Sequence, residues 1–130
     1  MRWTLLAAGA CIMSWACSER GETASVAAAT LGAIDGPGAA RARGKQIYLA
    51  HCVPCHGASA DGLGVEGRGL ARQPASFRSA RFREPGARVR VEAALRDGVA
   101  GTAMPGWRHL GPDSLRDLAE YVLSVSEQGP

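Results

Sequence analysis

Between Arg41 and Ser126 the chain carries only five aromatic side chains, Tyr48, Phe77, Phe82, Trp107 and Tyr121, and alanine fills many of its other apolar positions. A domain this small buries a modest share of its surface, and one so poor in bulk needs a staple, a metal or a cofactor to hold together. The sequence therefore asks for something large and apolar inside the fold.

The N-terminus does not supply it. After Met1 and Arg2 the run WTLLAAGACIMSWACS is uncharged as far as Glu19. It is shorter than the ~20 apolar residues that a bilayer-spanning helix needs, and a basic start before a brief apolar core is the pattern of a secretory signal, assigned here to residues 1–16. Ala16-Cys17-Ser18 resembles the end of a bacterial lipoprotein signal, where a small residue precedes a cysteine that is then lipidated. An ordinary cut near Ala27-Ala28-Ala29 is the competing reading, with Glu19, Arg20 and Glu22 lying awkwardly between it and the apolar core. Either way the chain is expected in the periplasm, and with Cys17 acylated it would be held at the membrane surface.

Cysteine usage then becomes informative. Cys11 belongs to the signal and Cys17 is the lipid candidate, so Cys52 and Cys55 alone remain in the folded part. No pair is left for a disulfide framework.

Residues 17–40 are small and weakly polar, lack a sustained apolar period, and contain Gly36-Pro37-Gly38. They read as a flexible tether with an end-to-end distance of roughly 25 Å. The domain proper is expected over 41–127, with three helices. The first runs from about Ala40 to Cys55, with Ile47 and Tyr48 on its apolar side and Gly44 leaving a flat spot for a crossing helix. The second covers Val89 to Asp97, with Val91, Ala94 and Leu95 on one face and Gly98 as its stop. In the third, Pro112 suits the first turn, Asp113 favours the helix dipole, and Leu115, Leu118, Ala119 and Val122 recur at helical spacing. No period-two strand pattern is present, so the fold class is all-α with long loops. The loop from Gly57 to Glu84 has neither the period nor the bulk to fold by itself, which fits a segment wrapped around something.

Cys52-Val53-Pro54-Cys55-His56 admits three chemistries. A structural zinc site needs a fourth ligand, normally from a second pair at ligand spacing, and none exists. A dithiol redox site needs the cysteines at a helix start after a strand, and no such strand is present. Haem attachment uses every residue type. Positions one helical turn apart face the same way, so Cys52 and Cys55 can both form thioethers to the vinyl groups on one porphyrin edge. His56 can then offer an imidazole nitrogen to the iron. C-x-x-C-H in an exported chain is the attachment signature of c-type haem.

A second axial ligand is sought elsewhere. Met1 and Met13 fall in the signal, so Met104 is the one methionine of the mature chain, held in GTAMPGW. Gly101 and Gly106 permit tight backbone there and Pro105 stiffens it. His109 is the rival, and would lower the potential; His51, tied beside Cys52, is a poor one.

From Arg41 to Ser126 the chain resembles the class I, mono-haem c-type cytochromes. The resemblance rests on GKQIYLAHCVPCHG at 44–57, DGLG at 61–64, GTAMPGW at 101–107 and LGPDSLRDLAEYVLSVS at 110–126. It implies one covalently attached haem c between His56 and Met104, inside a fold whose N- and C-terminal helices cross, with Gly44 and Tyr48 near Leu118 and Tyr121. It also implies a backbone carbonyl holding the second nitrogen of His56, with Pro74 as the one proline in a position to supply it. The expected function is one-electron transfer without catalysis, by a free carrier or by a haem subunit of a larger dehydrogenase or reductase. The alternative is a catalytic or gas-binding haem protein with an open distal site.

Charge bears on partners. The net formal charge is +3, but Arg68 to Arg90 contains seven arginines against Glu84 alone, whereas Gly111 to Gln128 sets Arg116 against Asp113, Asp117, Glu120 and Glu127. The basic segment suits a haem propionate, an acidic redox partner or an anionic membrane surface, or is simply a solvated loop. Nucleic acid is not expected, because stacking aromatics are not interleaved among the basic residues.

Overall fold

The structure, a computed structural model, describes residues 36–129. The expected signal, the acylation at Cys17 and the tether up to residue 35 lie outside the described residues. Among the described residues four helices form the frame: α1 Pro37–His51, α2 Val53–His56, α3 Ala87–Asp97 and α4 Pro112–Glu127, with 3-10 turns at Gly67–Gly69, Ala80–Phe82 and Arg108–Leu110. Among the described residues there is no strand, as the all-α reading requires.

The helix boundaries follow local chemistry. α1 starts at Pro37, before the expected Ala40, because a proline in the first turn forgoes an N–H that would have no partner there. It stops at His51, short of the expected Cys55. Cys52 (φ −108°, ψ −26°) separates it from the single turn of α2, although the Cys52 amide still donates to the Tyr48 carbonyl at 2.8 Å. α3 begins at Ala87, after Gly86 at φ 78°, and ends at Gly98.

α1 and α4 cross at very short range. Gly44 is buried, and a Cβ at that position would stand 2.0 Å from the Asp117 carbonyl oxygen. Glycine is what allows the two backbones to meet. Next to the crossing, Arg43 donates Nε and Nη2 to the two Asp117 carboxylate oxygens at 2.6 and 3.0 Å. Around it Tyr48, Leu118, Ala119 and Val122 are all but inaccessible to solvent. Each large apolar side chain so buried stabilises the fold by roughly 1.5–3 kcal/mol.

α3 packs onto α4 through Val91 and Leu95, and Arg88 bridges the two helices to Glu120 at 2.8 Å. The Arg83 guanidinium donates to the Ser126 carbonyl at the end of α4, where carbonyls lack intrahelical partners. The long loop after α2 is pinned at its start. Gly62, Gly64 and Glu66 donate backbone N–H groups to the carbonyls of His56, Cys55 and Pro54 at 2.9, 3.1 and 2.9 Å. DGLG thereby closes the C-terminal end of α2.

Candidate functional site

A cleft of about 300 Å³ opens between α2, the long loop, α3 and the segment after it. Cys52, Cys55, His56 and Met104 all line it, so the four residues singled out in the sequence converge on one space. The wall between them is largely apolar, with Phe77, Phe82, Val91, Ala94 and Leu95 contributing. Cys52 and Cys55 form no disulfide. Burial, assisted by the neighbouring Cys55, pushes the Cys52 thiol up to about 11. That is the opposite of the depressed thiol a dithiol redox enzyme uses. Among the described residues no three His, Cys, Asp or Glu side chains are grouped closely enough to hold a metal ion between them.

His56 is buried and its orientation is settled by its neighbours. Nδ1 lies 3.2 Å from the Ala75 carbonyl oxygen. A carbonyl only accepts, so Nδ1 carries the proton and Nε2 keeps the lone pair. Burial lowers the imidazole below its ordinary value and so favours the neutral ring, opposed by the Ala75 bond. A neutral imidazole with one nitrogen tied to a carbonyl is the form that binds a metal. The sequence left this carbonyl open, with Pro74 as the candidate; it belongs to the next residue, Ala75. Proline stiffens the approach, and Ala75 presents the oxygen.

Phe77 completes this wall. Its ring stacks on the His56 imidazole with centroids 4.5 Å apart and planes inclined by 18°. Phe77 is itself held edge-on by Tyr48 and Phe82, at 6.2 and 5.2 Å, and its amide donates to the Ala60 carbonyl at 2.9 Å. The Tyr48 hydroxyl donates to the Gly57 carbonyl at 2.7 Å, and burial raises its pKa well above the ordinary tyrosine value.

Met104 is set by the turn that follows α3. Gly98 adopts φ 77°, and a Cβ there would lie 2.7 Å from the Met104 carbonyl oxygen and 2.9 Å from the Gly106 amide nitrogen. Val99 donates its amide to the Met104 carbonyl at 3.1 Å, and the Met104 amide donates to Thr102 Oγ1 at 3.1 Å. The Thr102 hydroxyl donates to the Val99 carbonyl at 2.7 Å, and the Trp107 amide to the Leu95 carbonyl at 2.8 Å. Thr102, unmarked in the sequence, is thus a main fastening of the Met104 segment.

The other two histidines sit differently. His51 is exposed, borders the cleft and approaches Trp107 at 5.4 Å between ring centroids. His109 lies beside Trp107 at 5.6 Å and is not part of the cleft lining. Trp107 borders the cleft, and its Nε1 is buried without a hydrogen-bond partner. Paired thiols, a neutral imidazole, a thioether and apolar walls together fit a c-type haem.

Most of the arginine-rich segment is engaged within the fold. Arg68, Arg78, Arg83 and Arg90 donate to backbone carbonyls, and Arg88 pairs with Glu92 and Glu120. Arg72, Arg81 and Arg90 border the cleft; Arg81 lies over the Phe82 ring at 5.1 Å. Charge counting along the chain could not separate these three from the others.

An all-α fold with crossing terminal helices and a C-x-x-C-H segment on an apolar cleft defines a cytochrome c domain. The chain belongs to the family described as cytochrome c oxidase, cbb3-type, subunit III, whose family model matches residues 39–122. No curated protein and no solved structure matches it. Membership carries haem-based electron transfer, as a carrier or as a subunit, with a covalently bound haem c.

Proposed function

We propose that this chain is a periplasmic one-electron carrier holding a single haem c, with Cys52 and Cys55 as the thioether anchors and His56 and Met104 as the axial ligands. The observation that carries this reading is that Met104, from the turn after α3, lines the same apolar cleft as Cys52, Cys55 and His56 at α2. Bound there, the haem supplies a ferric/ferrous couple. The protein's part is orientation and insulation. Ala75 holds the proton on Nδ1 of His56, the Thr102 turn holds Met104, and the apolar lining excludes water and so favours the less charged oxidation state.

Docking is assigned to the cleft rim, where Arg72 and Arg81 favour an acidic partner surface. Acylation of Cys17 would keep the domain near membrane-bound partners. The family's description as an oxidase subunit supports, as a second arrangement, a haem subunit of a larger oxidoreductase.

Haem staining of a denaturing gel tests the anchors: the unmodified chain from cells able to mature c-type haem is expected to give a band that Cys52→Ser with Cys55→Ser abolishes. An unstained unmodified chain ends the reading. Carbon monoxide tests the distal side. The ferrous unmodified protein should bind it poorly and Met104→Ala readily; full binding by both would show an open distal site instead. Mass spectrometry of the mature N-terminus decides Cys17.

A further inference from the structure

Resting on the haem reading above, we propose that Phe77 is a positioning residue for the axial histidine, its ring fixing the plane of the His56 imidazole. The Ala75 bond alone leaves a degree of freedom. One hydrogen bond at Nδ1 sets the tautomer and aims that edge of the ring, but the imidazole can still rock about the line from Nδ1 to its attachment. A second restraint must act on the face. Phe77 supplies it, with centroids 4.5 Å apart and planes within 18° of parallel.

Two observations separate this contact from incidental packing. Ala75 and Phe77 lie two residues apart in the long loop, so the same piece of chain grips the imidazole at its edge and at its face. Phe77 is also not free to follow the histidine. Tyr48 and Phe82 meet it at interplanar angles of 70° and 87°, and its amide is tied to Ala60. Tyr48 is in turn fully buried and fixed by its bond to Gly57. Rotation of the His56 ring would therefore have to displace a braced aromatic cluster.

The plane of an axial imidazole decides which of the iron's two dπ orbitals mixes with the ring, so a fixed plane gives one electronic state and a rocking plane gives a spread. Groups that orient a metal ligand without touching the metal tune the site in this way.

The test compares the ferric holoprotein of the unmodified chain, Phe77→Tyr and Phe77→Leu by electron paramagnetic resonance, with covalent haem content and midpoint potential measured on each. Leucine keeps apolar bulk and loses the flat face. Phe77→Leu is expected to shift and broaden the g-values at unchanged haem content, and Phe77→Tyr to keep the unmodified pattern. A Phe77→Leu spectrum that superimposes on the unmodified one overturns the proposal. Should Phe77→Leu not fold, nuclear Overhauser contacts between the Phe77 and His56 ring protons of the unmodified ferrous holoprotein decide it: strong contacts with slow Phe77 ring flipping uphold the stack, and their absence overturns it. An unmodified chain without covalent haem would instead refute the electron-carrier reading, which the haem content reports separately.

Discussion

The Asp117 carbonyl oxygen stands 2.0 Å from where a Cβ on Gly44 would lie. Backbone on α4 cannot move aside as a flexible side chain would, so the crossing of α1 and α4 tolerates no side chain at position 44. Gly44→Ala should destabilise the holoprotein by at least about 3 kcal/mol, the upper end of overpacking costs. Thermal unfolding followed by far-ultraviolet circular dichroism checks it; a loss below about 1 kcal/mol would mean the helices cross elsewhere.

Tyr48 gives the fold a dependence on alkaline pH. Its buried hydroxyl donates to Gly57, and burial raises its pKa above the ordinary 10.0. The folded state thus holds the phenol proton more tightly than the unfolded state. This contribution is complete below pH 10 and is lost as pH rises above it towards the folded value. Tyr48→Phe should cost roughly 1–2 kcal/mol at pH 7, because the Gly57 carbonyl loses its donor. The gap between the two proteins should narrow above pH 10. Urea titrations at pH 7 and above 10 measure both.

Gly98 sets the segment that carries Met104. At φ 77° any other residue is strained, and a Cβ would press on the Met104 carbonyl and the Gly106 amide. Gly98→Ala is expected to cost about 1–3 kcal/mol and to weaken the ferric sulfur-to-iron charge-transfer band. An unchanged band at unchanged stability would free Met104 from this turn.

Removal of the haem should undo the tertiary fold more than the helices. The apolar lining from Phe77 to Leu95 faces the cleft, and the core beyond it is small. The chain with Cys52→Ser and Cys55→Ser is expected to keep part of its helical signal and to lose near-ultraviolet circular dichroism and cooperative unfolding. A sharp calorimetric transition in that variant would show a self-sufficient core.

What was legible in the sequence was short in range. α4 is written in the recurrence of Leu115, Leu118, Ala119 and Val122 behind Pro112, and α3 in Val91, Ala94 and Leu95 before Gly98. The C-x-x-C-H chemistry is equally local, since three positions along a helix suffice to aim two thiols alike. Even Gly44 was visible, as a gap on an apolar helix face.

Other features depended on chain brought together from a distance. Every residue owns a carbonyl, so nothing in the letters distinguishes Ala75 as the partner of His56 from Pro74 beside it. The stack of Phe77 on that imidazole crosses 21 positions and leaves no periodic trace. The arginine run read as uniform charge, yet folding turned Arg78 and Arg83 onto backbone carbonyls and left Arg72 and Arg81 at the cleft. By itself the sequence determined the three longer helices and the residue types for holding a haem, though not the break at Cys52, because covalent spacing and helical period act between near neighbours. Only the tertiary structure decided which backbone oxygen and which ring hold His56 in place, because hydrogen bonds and ring contacts depend on where distant segments meet.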